Sequence, residues 1–219
     1  MDLGFRLYLI TDRKVATKPL PVAVRLALEG GVRAVQLREK DLPVRELLSL
    51  AQELRSITRE FGAKLFINDR VDVAMLVGAD GVHLGHTSIP VEAVRKIVGA
   101  RLLIGVSTHS LQEALDAQAG GADFITFGPI FDTLSKAGIC APVGAAAIRK
   151  LKNEINIPVF GLGGIKSGNM LQVMSAGADG IAMISSIFAA EDIRKKAAAF
   201  DKALTAIGKV VCTDYCAPR

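Results

Sequence analysis

Two runs near the start of the chain hold residue types suited to gripping a polyanion. In Gln36-Leu37-Arg38-Glu39-Lys40, alternation along an extended strand puts Gln36 and Arg38 on the face opposite Leu37, with Lys40 following on the loop. An amide and two cations converging at one strand end suit a diphosphate, because Arg offers a planar fork of donors and Lys a compact charge. The competing reading is a surface ion network of those cations with Glu39 and Asp41. Ile67-Asn68-Asp69-Arg70 adds a carboxylate. Asp69 either holds a hard ion such as Mg²⁺, which accepts a few carboxylates completed by water and phosphate oxygens, or caps the helix beginning at Arg70.

A second group of residues suits a single phosphoryl group. The run GPIFDTLSKAG (128–138) brings Thr133, Ser135 and Lys136 together as hydroxyls plus a cation, on a loop shaped by Gly and Pro. GLGGIK (161–166) supplies Gly163 and Gly164, whose backbone N–H groups can approach an anion closely, and Ile184-Ser185-Ser186 lies further along. Gly105-Val106-Ser107-Thr108-His109 contributes hydroxyls and a histidine able to titrate near neutrality. His83 and His86 stand three apart in GADGVHLGHTS (78–88), in a chain with 3 histidines. No cysteine or further histidine completes a zinc set beside them. His83, inside an apolar run, reads as a packed, hydrogen-bonded histidine, while His86 reads as a contact for substrate or a neighbouring carboxylate.

The elements that must position these residues alternate evenly. Runs at 6–11, 34–39, 64–68, 81–85, 101–106, 123–128, 157–162 and 180–185 are apolar on nearly every residue, as parallel strands covered on both faces should be. Amphipathic segments at 19–29, 43–61, 71–77, 90–98, 110–119, 144–154, 167–176 and 188–206 separate them. Helix starts are signalled by Pro43 after Asp41-Leu42, by Pro90 after Ser88, and by Ser110 with Glu113 in a capping box. A weak repeat recurs in EGGVRAVQLR, VGADGVHLG, AGGADFITFG and SAGADGIAMIS, in which a glycine ends a helix and a strand follows at once. Asp80, Asp123 and Asp179 occupy the strand entrances and read as caps on the stability face. Eight such units predict a (β/α)8 TIM barrel in a single domain over residues 1–210, with 211–219 as a disordered C-terminal tail. A doubly wound sheet is the runner-up, but the evenness shows no central switch point. In a barrel the chemistry sits at the C-terminal ends of the strands, which is where the residues singled out above fall.

Composition narrows the function classes. The chain has 219 residues, half of them hydrophobic, and a formal charge of +5 from 27 basic and 22 acidic side chains. Aromatics make up 5% and no basic tract is interleaved with them, so nucleic-acid binding is not indicated, whereas anionic small substrates suit the charge. No run suits a membrane span or a secretory leader, which gives a cytoplasmic expectation. The 3 cysteines, with Cys212 and Cys216 four apart in the tail, describe neither a disulfide framework nor a complete metal site. Two separate anion sites on one rim suit the joining of two phosphorylated molecules better than the isomerisation of one.

The segments QLREK, IND, GVHLG, IGVST, FGPIFDTLSK, GLGGI and GIAMIS follow one another in an order that resembles the thiamine phosphate synthase family over residues 5–205. The resemblance implies a transferase that couples an aminopyrimidine methyl diphosphate with a thiazole ethyl phosphate, or its carboxylated form, giving thiamine phosphate and diphosphate. It implies that Gln36, Arg38, Glu39, Lys40, Asn68, Ser107 and Lys136 hold the pyrimidine diphosphate. Thr133, Ser135, Gly163, Gly164, Ile184 and Ser185 would hold the thiazole phosphate, and Asp69 would bind Mg²⁺. The family pattern has a glutamine after GVHLG and an aspartate two residues beyond; here those places hold His86 and Ser88. The second expected carboxylate of the metal site is therefore a serine. His86 and His109 remain as further substrate contacts, and family members commonly pair as homodimers. The alternative the resemblance leaves open is a thiazole tautomerase of the TenI type, which uses the same barrel, or a paralogue with a degenerate pyrimidine and Mg²⁺ site. Against the tautomerase, that relative's catalytic histidine falls in the loop after strand 6, where this chain has Pro129.

Overall fold

The eight apolar runs pair side by side in chain order and close on themselves. In the computed structural model, which describes residues 2–133 and 141–215 with side chains to 207, the strands are β1 (Leu7–Ile10), β2 (Ala34–Leu37), β3 (Lys64–Asn68), β4 (Gly81–Leu84), β5 (Leu103–Thr108), β6 (Phe124–Phe127), β7 (Val159–Leu162) and β8 (Gly180–Met183). They form one closed barrel, β1 through β8. Parallel pairing of β1 with β8, Leu7 opposite Ile181, makes the closure and excludes a doubly wound sheet. The helices are α1 (Leu20–Glu29), α2 (Val44–Glu60), α3 (Val71–Val77), α4 (Val91–Val98), α5 (Leu111–Ala119), α6 (Ala145–Lys152), α7 (Met170–Ser175), α8 (Ser185–Phe188) and α9 (Ile193–Tyr215). The helix expected to begin at 188 begins instead at Ile193, where Asp192 accepts a hydrogen bond from Lys195 N at 2.9 Å, and Phe188 ends the short α8. α9 runs through Tyr215, past the residue-210 boundary expected for the barrel.

Strand alternation builds two cores. Leu9, Val35, Leu65, Val82, Ile104, Ile125, Val159 and Ile181 face the helices. Tyr8, Phe66, Phe124 and Phe160 fill the barrel interior with Phe5 beneath them, in edge-on and tilted contacts such as 5.2 Å between the Tyr8 and Phe66 centroids. Glycines on the same strands make room for these rings. A Cβ on Gly81 would stand 2.5 Å from Phe66, on Gly105 2.4 Å from Phe124, and on Gly180 2.5 Å from Phe160. The aromatic plug fills the lower barrel, so the residues one inward step further along, Gln36, Asn68, His83, Ser107 and Thr126, form a polar layer below the mouth.

The strand-entrance aspartates share one arrangement. Asp80 accepts from Leu65 N and Arg55, Asp123 from Ile104 N and Arg95, and Asp179 from Val159 N and Lys152. Each carboxylate thus ties its own strand to the start of the preceding one and to a cation on the helix before it. They cap strand ends rather than helices, and they lie at the end opposite the mouth. Ser110 caps α5 through Glu113 N at 3.2 Å, while Glu113 reaches back one residue beyond the usual capping box, to His109 N at 2.7 Å. Pro43 and Pro90 occupy the N-cap positions of α2 and α4 without a side-chain cap, so Asp41 and Ser88 are left for other partners.

Candidate active site at the barrel mouth

At the end of β2, the two carboxylates are taken by cations other than Arg38 and Lys40. Glu39 is buried, accepts from Thr11 Oγ1 at 2.7 Å, and takes both the backbone N (3.1 Å) and Nη1 (3.0 Å) of Arg13. Asp41 pairs with Arg13 at 2.6 Å and Lys14 at 2.8 Å. The Arg13 and Lys14 hydrogen bonds hold the Asp41 carboxyl well below its usual range, and the two carboxylates raise Arg13 correspondingly. Thr11 Oγ1 also receives Arg38 N at 2.8 Å, which fixes the strand end carrying Arg38. Among the described residues, Arg38 (half-buried) and Lys40 (exposed) have no ion pair. The ion network around Glu39 and Asp41 exists, but it belongs to the β1 loop and leaves the strand-end cations uncompensated. Glu39 points into that network rather than toward an anion.

β3 and β4 bring the next cluster together. Asp69 adopts a left-handed backbone, φ 60°, uncommon for a residue other than glycine. Its side chain does not cap α3, whose N-cap is Arg70 with no side-chain hydrogen bond. Instead Asn68 Nδ2 donates to Asp69 Oδ2 at 2.7 Å, and the Ser88 hydroxyl donates to Asp69 Oδ1. Gly85 N in turn donates to Ser88 Oγ at 2.6 Å. The serine at the expected second-carboxylate position therefore stands directly against Asp69. His86 is exposed on the same turn. No group of three or more His, Cys, Asp or Glu side chains suited to a metal occurs among the described residues.

Behind this cluster a chain of hydrogen bonds crosses the polar layer. Gln36 Nε2 donates to the Tyr8 hydroxyl at 3.1 Å, the Tyr8 hydroxyl meets His83 Nδ1 at 3.3 Å, and His83 Nε2 meets Ser107 Oγ at 3.0 Å. Thr126 Oγ1 donates to Ser107 Oγ at 3.4 Å. Burial pushes the His83 pKa down to about 3, against a pull from Asp69 and with a push from Arg38, so the imidazole is neutral at physiological pH. Burial also raises the Tyr8 phenol, partly opposed by the Gln36 hydrogen bond. The packed, hydrogen-bonded His83 expected from sequence is what the barrel contains. Tyr8, Thr11, Arg13 and Thr126 were not anticipated; the inward alternation of Tyr8 in RLYLIT was the signal available for the first of them.

The opposite side of the mouth is organised by backbone. His109 Nδ1 bonds to Gly128 O, tying the end of β5 to the loop after β6. Ile130 N donates to Leu162 O at 2.9 Å and Phe131 N to Gly163 O at 3.1 Å, so that loop lies along the GLGG turn. Gly163 and Gly164 have φ of 98° and 64°, and a Cβ there would stand 2.7 Å from Pro129 and 2.5 Å from Asp132 O. Close backbone packing therefore requires both glycines in addition to any role toward an anion. Ser186 Oγ donates to Ile165 O at 2.7 Å and joins the β7 and β8 loops, while Ile184 and Ser185 open α8 beside them. Thr133 is half-buried at the end of the described part of the β6 loop; Ser135 and Lys136 lie outside the described residues.

Comparison with known proteins gives these features a family. A family model described as thiamine monophosphate synthase matches residues 7–187. The chain belongs to that family. A putative thiamine-phosphate synthase of Geobacter sulfurreducens is 54% identical over 90% of this chain and 93% of its own length. A thiamine-phosphate synthase of Pyrococcus furiosus is 45% identical over 87% of this chain and 90% of its own length. The solved thiamine phosphate pyrophosphorylase of Pyrococcus furiosus superposes with a TM-score of 0.85 at 42% identity, covering 93% of this chain and 96% of that one. The family match thus spans all eight strands, including both sides of the mouth.

Proposed function

We infer that the chain is a thiamine-phosphate synthase, a transferase that couples the pyrimidinylmethyl diphosphate to the thiazole phosphate and releases diphosphate. The observation that carries this reading is the pair of cations at the end of β2. Arg38 and Lys40 lack carboxylate partners among the described residues although Glu39 and Asp41 are their sequence neighbours. Uncompensated cations beside a barrel mouth are suited to a multiply charged ligand. With Gln36, Asn68 and Ser107, and with Lys136 from the β6 loop, they would hold the pyrimidine diphosphate; Glu39 contributes by anchoring Arg13 and Thr11. Thr133, Ser135, the Gly163–Gly164 turn and the backbone at Ile184 and Ser185 would hold the thiazole phosphate.

As the carbon–oxygen bond to diphosphate breaks, negative charge grows on the leaving group, and the Arg38 and Lys40 cations at the end of β2 would stabilise it. The thiazole nitrogen carries its own lone pair, so no general base is required, in keeping with a neutral His83 held in hydrogen bonds. Mg²⁺, when bound, neutralises part of the diphosphate charge. The residues fit such an ion if it arrives with the substrate: Asp69 and the Ser88 oxygen touch each other at the mouth, and Mg²⁺ accepts a single carboxylate completed by phosphate oxygens and water. The reading includes a cytoplasmic location, two phosphorylated small molecules as partners, no nucleic acid, and pairing as a homodimer; no helix among the described residues is long and apolar enough to cross a membrane. The TenI-type tautomerase alternative lacks a comparable observation, with Pro129 at the place of that relative's histidine.

Purified protein supplied with both phosphorylated halves and Mg²⁺ is expected to form thiamine phosphate. Absence of product across a Mg²⁺ titration, alongside a working control enzyme, would overturn the synthase reading. Conversion of the thiazole carboxylate phosphate isomer without the pyrimidine half would support the tautomerase instead.

A further inference from the structure

The buried chain from Gln36 to Ser107 has a direction that its members impose on one another. An amide nitrogen can only donate, so the Tyr8 oxygen accepts from Gln36 at 3.1 Å and turns its proton to the one acceptor beside it, His83 Nδ1, at 3.3 Å. A neutral imidazole that accepts at Nδ1 carries its proton on Nε2 and donates it to Ser107 Oγ at 3.0 Å. Thr126 Oγ1 donates to the same oxygen at 3.4 Å. With its lone pairs engaged from behind, the Ser107 hydroxyl points its own proton away from both donors. Tyr8 and His83 are enclosed, while Ser107 is half-buried and is the member of the chain that opens toward the mouth.

We propose that His83 is a positioning residue that commits Ser107 to donate a hydrogen bond to the substrate, so that the site selects a ring presenting a lone-pair acceptor at that point. The proposal rests on the synthase reading for the identity of that ring, the pyrimidine. The tautomer inferred for His83 rests on the hydrogen-bond partners of its two ring nitrogens and is independent of the reaction. Its packing role is separate: the imidazole stacks 5.7 Å from Tyr8 and 5.8 Å from Phe124, and the missing Cβ of Gly105 leaves space for Nδ1. His83→Phe keeps a ring there and removes both hydrogen bonds. His83→Gln retains a donor able to reach Ser107.

Two measurements test this. In protein labelled with ¹⁵N-histidine, His83 is expected to show an unprotonated Nδ1 and a protonated Nε2; the opposite tautomer overturns the proposal even if the protein proves not to be a synthase. In steady-state assays of folded variants, His83→Phe should raise the KM for the pyrimidine diphosphate about tenfold, the worth of one neutral hydrogen bond, without changing the KM for the thiazole phosphate. His83→Gln should recover most of that loss, and adding Ser107→Ala to His83→Phe should change little further. Should His83→Phe fail to fold, Tyr8→Phe, which frees the tautomer, takes its place with a smaller rise of the same selectivity. Equal effects on both KM values, or full additivity with Ser107→Ala, would reduce His83 to a packing residue. If the unaltered protein makes no thiamine phosphate, the synthase reading fails, and calorimetric binding of the pyrimidine diphosphate to the same variants reads the proposal, with unchanged affinity overturning it.

Discussion

Restoring an aspartate at position 88 separates the two ways in which this rim can meet a metal ion. The Ser88 hydroxyl now donates to Asp69 Oδ1 and accepts from Gly85 N at 2.6 Å, so a serine quiets the single carboxylate. Ser88→Asp removes the donor and sets a second negative charge about 4 Å from the first, where repulsion is about 4 kcal/mol at an effective dielectric of 20 and about 1 kcal/mol in water. Both residues are half-buried, which puts the penalty near 2 kcal/mol and lowers Tm by roughly 4–8 °C for a chain of this size. Mg²⁺ between the carboxylates reverses the sign. The variant should regain its Tm in millimolar Mg²⁺ without substrate, while the unaltered protein and Ser88→Asn stay flat. In turnover, the Mg²⁺ concentration giving half the maximal rate should fall about tenfold or more, since each ~1.4 kcal/mol of added attraction is a factor of ten. Differential scanning fluorimetry against MgCl₂ and a thiamine phosphate assay read the two effects. A variant as stable as its parent without Mg²⁺ and unresponsive to it would place residue 88 outside the metal shell and refute the reasoning.

Arg38→Ala and Lys40→Ala should each raise the KM for the pyrimidine diphosphate by about 10–100-fold, the range for losing one charge-assisted contact, and leave the KM for the thiazole phosphate unchanged; equal losses for both substrates would contradict two separate anion sites. Asp123→Ala strands Ile104 N and Arg95 and should destabilise by about 2–3 kcal/mol in urea unfolding. Asp179→Ala should be milder, because that carboxylate is 41% exposed against 16% for Asp123, and a reversed order would argue against burial as the cause. His83 titrates near 6.5 when unfolded and is held to about 3 when folded, so its contribution is complete above pH 6.5 and is lost as pH falls toward 3. Through that window it should remove up to about 1.4 kcal/mol per pH unit, a slope absent from His83→Gln in equilibrium unfolding; parallel pH profiles for the two proteins would refute the assignment.

What the sequence determined by itself is whatever repeats locally. Strands and helices alternate with periods that neighbouring residues enforce, so eight units, their order and the barrel followed from the chain alone. The same alternation turned Gln36 inward and Leu37 outward, and the departure of Ser88 from the metal pattern was legible as a single letter. Tertiary structure decided who meets whom across strands. Glu39 and Asp41 lie beside Arg38 and Lys40 in sequence, yet they pair with Arg13 and Lys14, because the parallel pairing of β1 with β2 lays the β1 loop over the end of β2. Ser88 reads as the residue before a helix start and instead faces Asp69, since β3 and β4 are neighbours and the turn after β4 folds back. His83 finds Tyr8 and Ser107 at sequence separations of 75 and 24, contacts set by the register of the closed sheet. Periodicity fixes the face on which a side chain stands; only the pairing and closure of the strands fix what stands opposite it.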